Sequence, residues 1–435
     1  MEVISIGKRL RGIRKTLGIR QDEITGDLVT RNLISIIEND KASLTPKVAQ
    51  MVVYQINQIC LARGIDYRIT IEELLESEAS QIEKNTYNLI ENINKGEYNL
   101  NDERNKLCVL ELENSLVMNG AYMVAFALNV ACEEYFSLKN LYFEAYYYCK
   151  RAVNLATPLI GNERVLKEYI NISYYLILLE RFKEAIYYCD LTMEKFSEIS
   201  PSYRYMVLMN KNIAANRMGD RNLSSEIIES MLDIEGLKSI DYNKALISKA
   251  NRLAEDGNFN ESIEIYESIY SELTSSPQKY LVLSNMIDIY ISIDDQDKLK
   301  KIMNQSLTAL EKDGIELKSG YQGKILFKLS KGYLHLEQNE LFLFYSEKAQ
   351  NCCREEKQYS GLKAVIDFKL DYLMTHENIG FLNEMVSFVC SAADESILRR
   401  EDDCVWRLMG HLAKINDLGN VQRMVDCFAS VDVRS

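Results

Sequence analysis

The sequence predicts an all-α protein in two parts, a small basic helical head and a long array of paired helices. Three observations carry this. Apolar residues recur at three-to-four spacing along nearly the whole chain, and after residue 65 the only prolines are Pro158, Pro201 and Pro277, each at a junction between periodic segments. The segments "YFEAYYYCKRA" (142–152), "FKEAIYYCDLT" (182–192) and "FNESIEIYESI" (259–269) repeat one pattern. Charge is also divided unevenly: residues 1–65 hold ten Lys/Arg against six Asp/Glu, or +4, so with a net charge of −13 the rest carries −13 − 4 = −17.

The head is built element by element. In "SIGKRLRGIRKTLG" the apolar stripe Ile6, Leu10, Ile13 and Leu17 marks a helix ending at about residue 17, with Gly18 in the left-handed cap position. Lys8, Arg9, Arg11, Arg14 and Lys15 cover its other faces with no acid among them. "RQDEITG" predicts a short second helix with Ile24 inward, and "DLVT" a turn. Thr30 then caps a third helix over about 31–38, with Leu33, Ile34, Ile36 and Ile37 on one side and Arg31, Asn32, Ser35 and Glu38 on the other. Thr45 and Pro46 open a fourth, carrying Val48, Val52, Ile56 and Ile59 on one face. Helix, short helix, turn, short helix and packing helix is the layout of a helix-turn-helix domain, whose third helix enters the major groove of double-stranded DNA.

The strings "IGKRLRGIRKTLGIRQDEI" and "VTRNLISIIENDK" resemble the bacterial helix-turn-helix family of phage-repressor (lambda-repressor-like) and Xre type. The resemblance covers residues 5 to about 62. It implies that Gln21 touches DNA, that Arg31, Asn32 and Ser35 face base edges, and that Glu38 pairs with Arg14 inside the domain. Thr30, Lys41 and Arg9 complete the expected DNA-binding set. The chain departs from the family in a turn one residue shorter and in Ile36, where Arg or Lys is common. Chemically the set is apt: Arg bonds bidentately to guanine and Asn to adenine, each for about 1–3 kcal/mol of discrimination, while helix-one cations add salt-sensitive phosphate contacts.

After the head (1–65), the capping box Thr70-Ile71-Glu72-Glu73 predicts a linker helix within 66–79. Residues 80–435 then form the repeat domain. In each quoted segment an aromatic is followed three residues later by a small residue, Ala145, Ala185 or Ser262, and a weaker copy at Ser225 gives steps of 40, 40 and 37. Later, "LSKGYLHLEQNELFLFYSEKA" (329–349) keeps the aromatic and the second-helix Ala. Such a period with two helices per unit predicts a tetratricopeptide-like right-handed α-solenoid of about nine helix pairs, closed by a capping pair around Trp406. The repeat phase directs Asn171, Asn210, Asn251 and Asn285, with Arg217 and Arg252 nearby, toward a groove suited to an extended peptide.

Several classes are excluded by composition and spacing. The ten cysteines include no C-x-x-C pair and read as buried free thiols; the three histidines are dispersed, so no metal site and no cofactor is expected. There is no phosphate-binding glycine loop, no G-x-S-x-G and no catalytic residue to nominate, hence no enzyme. Neither a membrane-length apolar run nor a signal-like start is present, and the cytoplasm is the expected location.

Head and repeats together resemble the peptide-sensing regulators of Gram-positive bacteria, the Rap/NprR/PlcR/PrgX/Rgg superfamily, in architecture most like the NprR type. That resemblance implies a homodimeric, or higher, transcription regulator responding to a short imported signalling peptide in quorum sensing. Two alternatives stay open: an interaction module gripping a phosphorelay response regulator, and a phage- or plasmid-type repressor whose repeats serve only oligomerisation.

Overall fold

The computed structural model describes residues 3–25, 29–156, 162–273, 276–313, 322–355, 358–376, 379–395, 398, 400 and 402–432. Every regular element among them is a helix, and they form two compact units, Met1–Lys238 and Ser239–Ser435. No helix is long and apolar enough to cross a membrane among these residues.

The first unit begins with α1 (Ile6–Thr16), α2 (Arg31–Glu38), α3 (Pro46–Arg63) and α4 (Ile71–Leu74). Local chemistry sets their ends. Ser5, Thr30, Thr45 and Thr70 each accept a first-turn amide, and Thr70 and Glu73 form the reciprocal capping box. Gly18 lies at φ +66° just past α1, where a residue with a Cβ would be strained. Leu10, Ile34, Ile37, Val52 and Ile56 make one core, and Ile24 is buried in it. Ile69 and Leu74 are buried in that same core, so the 66–75 segment packs onto the head.

The short helix expected over 20–26 is not formed among the described residues: residues 21–24 are a run of turns, and of the turn read over 27–30 residues 27 and 28 lie outside the described residues. Side chains compete for the backbone here. The Glu23 carboxylate accepts the Arg20 amide at 2.7 Å, and the Thr25 hydroxyl donates to the Asp22 carbonyl at 2.8 Å.

The unit continues with α5 (Glu78–Asn94), α6 (Glu103–Met118), α7 (Tyr122–Leu138), α8 (Tyr142–Leu155), α9 (Glu163–Leu178), α10 (Phe182–Lys195), α11 (Pro201–Arg217) and α12 (Arg221–Leu232). The second unit holds α13 (Ser239–Glu255), α14 (Phe259–Glu272), α15 (Ser276–Ser292), α16 (Gln296–Asp313), α17 (Gln322–His335), α18 (Asn339–Glu355), α19 (Tyr359–Thr375), α20 (Ile379–Asp394), α21 (Asp403–Lys414) and α22 (Leu418–Asp432). From α5 onward these are nine successive pairs among the described residues. Trp406, on the last pair, is half exposed.

A left-handed residue ends many of the first helices: Asn140, Glu180, Gly219, Gly257, Asp294, Glu337 and Asn416. It reverses the chain so that the second helix folds back on the first. The small residue at the crossing is fully buried in α8 (Ala145), α10 (Ala185) and α14 (Ser262). In α12 that residue is Ser224, not Ser225; the weak sequence copy is out of register by one, because only Ser224 points at α11, where its hydroxyl donates to Asn212 Oδ1 at 2.7 Å.

The copy at 329–349 also departs from expectation. Phe342 occupies the buried crossing position of α18, and Ala349 is buried farther along the helix. Space for close packing is provided instead by α17, where a Cβ on Gly323 would stand 2.7 Å from Cys353 Sγ. The cysteines pair with none of one another by disulfide, and most are buried.

Candidate functional site

In the head, α2 is placed by three contacts. Its N-terminus is capped by Thr30, its apolar side enters the core through Ile34 and Ile37, and its last turn meets α1 at Gly7. Glu38, which periodicity put on the outer face, is 3% exposed. Arg14 approaches it bidentately, Nε to Oε1 at 2.6 Å and Nη2 to Oε2 at 2.9 Å, as the resemblance implied, and also donates to the Ile19 carbonyl at 2.7 Å. Burial pushes the Glu38 carboxyl up, but the bonds from Arg14 and Gln21 outweigh it and hold the group below its ordinary value.

This network also locates Gln21. Its amide nitrogen donates to Glu38 Oε2 at 2.8 Å, so that part of the side chain belongs to the head's interior. Arg9 requires a correction. Its guanidinium turns to the linker, donating to the Glu73 and Glu76 carbonyls at 2.8 and 2.9 Å and pairing with Glu76 at 3.2 Å, and its side chain is only 14% exposed. The unsatisfied carbonyls at the end of α4 draw it there.

Thr30, Arg31, Asn32 and Lys41 are exposed, and Ser35 is half-buried. Among the described residues, no ion pair or side-chain hydrogen bond engages Arg31 or Asn32. Lys8, Arg11 and Lys15 of α1 are exposed as well. The arrangement presents a guanidinium and a carboxamide on one short, capped helix, with ammonium and guanidinium groups on its neighbour. It can donate to base edges and neutralise phosphates.

Three of the four repeat asparagines are bonded to neighbouring helices. Asn210 Nδ2 donates to Ser173 Oγ at 2.9 Å and to the Ile170 carbonyl at 3.3 Å, tying α11 to α9. In the second unit Asn285 Nδ2 donates to Asn251 Oδ1 at 2.7 Å and to the Tyr266 hydroxyl at 3.1 Å, while that hydroxyl donates to Asn251 Oδ1.

Asn210, Asn285, Lys328 and Arg407 stand at one register, equally far before Gly219, Asp294, Glu337 and Asn416. Lys328 pairs with Asp288, and Arg407 with Asp367 at 3.0 Å and with Asp371. The register is therefore a series of ties between neighbouring first helices. Groups aimed along the first-helix row also face the next first helix, which a single-helix phase cannot show.

Asn171 is half-buried beside Glu168, Arg217 is exposed, and Arg252 is buried, with Nη1 2.8 Å from Glu255. The six residues are divided between the two units: Asn171, Asn210 and Arg217 in the first, Asn251, Arg252 and Asn285 in the second.

Buried polar clusters also occur that the sequence did not announce. Arg151 grips Glu113 at 2.7 and 3.0 Å, and Tyr175 donates to Glu133. Burial first, then the charge of Glu168, pushes the Glu133 carboxyl up to about 8. The sequence gives no distinct signal for them, because Glu133 stands beside Glu134 and Glu168 beside Lys167, and nothing local says which charge turns inward. No group of His, Cys, Asp and Glu suited to a metal ion occurs among the described residues.

No family model matches the chain, and no curated protein sequence matches it. Solved structures resemble it at low identity, among them the following three. The apo form of RapI has a TM-score of 0.47 at 12% identity, covering 82% of this chain and 98% of that one. The apo form of the quorum sensor NprR from B. thuringiensis has a TM-score of 0.41 at 16% identity, with 96% and 99% covered. Bacillus thuringiensis PlcR, in complex with the peptide PapR7 and DNA, has a TM-score of 0.40 at 12% identity, with 83% and 98% covered.

Proposed function

We propose that this chain is a DNA-binding transcriptional regulator whose repeats bind a short signalling peptide, and that the peptide changes the arrangement of a homodimer, or higher oligomer, on its operator. The observation that carries the DNA half is the exposed Arg31 and Asn32 pair on α2. Its support is mechanical: the Thr30 cap, the Gly7 contact and the Arg14–Glu38–Gln21 network hold α2 from three sides, so its outer face is pre-organised for a groove.

The peptide half rests on the resemblance drawn from the head motif and the repeats. For a peptide to act as a switch, it must bind two arrangements of the oligomer with different affinity, since equal binding shifts nothing.

Fluorescence anisotropy of the full chain on the DNA upstream of its own gene, across a salt series, tests the DNA half. Specific binding that weakens steeply with salt and is lost in Arg31→Ala/Asn32→Ala is the expected result. Binding that is unaltered by the double substitution would overturn the assigned face.

A further inference from the structure

We propose that the half-buried ammonium of Lys331, lying over the rings of Phe327 and Phe368, is the attachment point for a carboxylate carried by an extended peptide. This rests on the peptide-binding reading and gives it a location in the second unit.

The case begins with the ties between first helices. Along the second unit α13 is joined to α15 by Asn251 and Asn285, α15 to α17 by Asp288 and Lys328, and α19 to α21 by Asp371 and Arg407. Asn251, Asp288 and Lys331 share one register, equally far before Gly257, Asp294 and Glu337. At the step from α17 to α19 the series breaks. Lys331 meets an aromatic ring instead of a polar partner, its Nζ lying 4.9 Å from the Phe327 centroid and 5.4 Å from that of Phe368. Among the described residues no carboxylate forms an ion pair with it.

The surrounding charges define what the position accepts. Lys328, one turn away, is already neutralised by Asp288, so a single positive charge is left over. Burial, then the charge of Lys328, lowers the Lys331 pKa, and an anion bound there would reverse that shift. Two aromatic rings hold the amine by cation–π attraction, and among the described residues no oxygen acceptor bonds its three donors. One charge with apolar shoulders matches a carboxylate beside an apolar side chain. A phosphate, at about −1.5 to −2, would be left under-compensated by one ammonium.

Affinity selection on the immobilised full chain tests this, read by mass spectrometry. Three heptapeptide pools are used: one without Asp or Glu and with a free C-terminal carboxylate, the same pool amidated, and an amidated pool containing Asp and Glu. Each is passed over the unsubstituted protein, Lys331→Met and Lys331→Arg, with circular dichroism confirming that the variants fold.

The expected result is retention of carboxylate-bearing peptides by the unsubstituted protein and by Lys331→Arg, falling about tenfold or more in Lys331→Met, in line with loss of one charge-assisted bond. Whether the first or third pool is retained tells a C-terminal from a side-chain carboxylate. Equal retention of acid and amide pools, or by the unsubstituted protein and Lys331→Met, would overturn the Lys331 site while leaving peptide binding intact. No retention of any pool would overturn both.

Discussion

Gly7 of α1 lies so close to the carbonyl of Ile37 in α2 that a Cβ built on it would stand 2.0 Å from that oxygen. A methyl group there would also sit 2.6 Å from Asp40 Oδ1. The helix carrying Arg31 and Asn32 is therefore set against α1 by the absence of a side chain.

Gly7→Ala should displace α2 or strain the contact, at a cost near the upper part of the about 1–3 kcal/mol typical of overpacking. Hydrogen–deuterium exchange should speed up in α1 and α2 and stay unchanged in α7 to α10. DNA affinity should fall with it. Unchanged exchange in α2 would show that the contact relaxes without consequence.

Two neighbouring arginines of α1 should behave oppositely. Arg9 clasps the carbonyls of Glu73 and Glu76, whereas Arg11 is exposed. Arg9→Ala is expected to lower the thermal stability of the head and leave the salt dependence of DNA binding unaltered. Arg11→Ala should reduce that salt slope by about one while leaving stability within about 0.5 kcal/mol. A reversed outcome would return Arg9 to the DNA interface.

Glu133 gives a pH dependence of defined sign. It is 3% exposed beside Tyr175 and Glu168, and its carboxyl is raised to about 8. In the unfolded chain a glutamate titrates near about 4.3. The folded chain thus keeps a proton that the unfolded chain has released, and the contribution present below about pH 4.3 is lost as pH rises toward 8. Glu133→Gln, which can still accept from Tyr175, should raise Tm at about pH 7.5 and flatten its slope between about 5 and 8. Thermal melts over that range decide it; an unchanged slope would mean that Glu133 is ionised in the fold.

Asn285→Ala removes the donor that ties α15 to Asn251 and Tyr266. A loss of about 1 kcal/mol is expected in urea titrations, the usual worth of such a bond. DNA affinity should not change. Full stability together with loss of peptide retention would restore Asn285 to a reading role.

Much of the head was legible in the chain itself. The caps at Thr30, Thr45 and Thr70, the stop at Gly18 and the inward faces of α1 to α3 are local events, decided within a turn or two of helix. The missing helix at 20–26 shows the limit of that reading, because side-chain bonds from Glu23 and Thr25 favour turns over a helix too short to sustain itself. Ser224 instead of Ser225 shows another. Two adjacent serines differ by 100° around a helix, and a weak repeat does not say which one meets the neighbour.

The sequence by itself determined the helical class, the pairing of helices from α5 onward, the basic head and the exposed Arg31 and Asn32. All follow from periodicity, capping and charge counted along the chain. Only the tertiary structure decided that Arg9 turns to the linker, that Gln21 joins Glu38, that Asn210 and Asn285 bind neighbouring helices, and that Lys331 meets rings instead of an acceptor. A long polar side chain reaches several ångströms in directions its own helix leaves open, and its partner lies on an element distant in sequence.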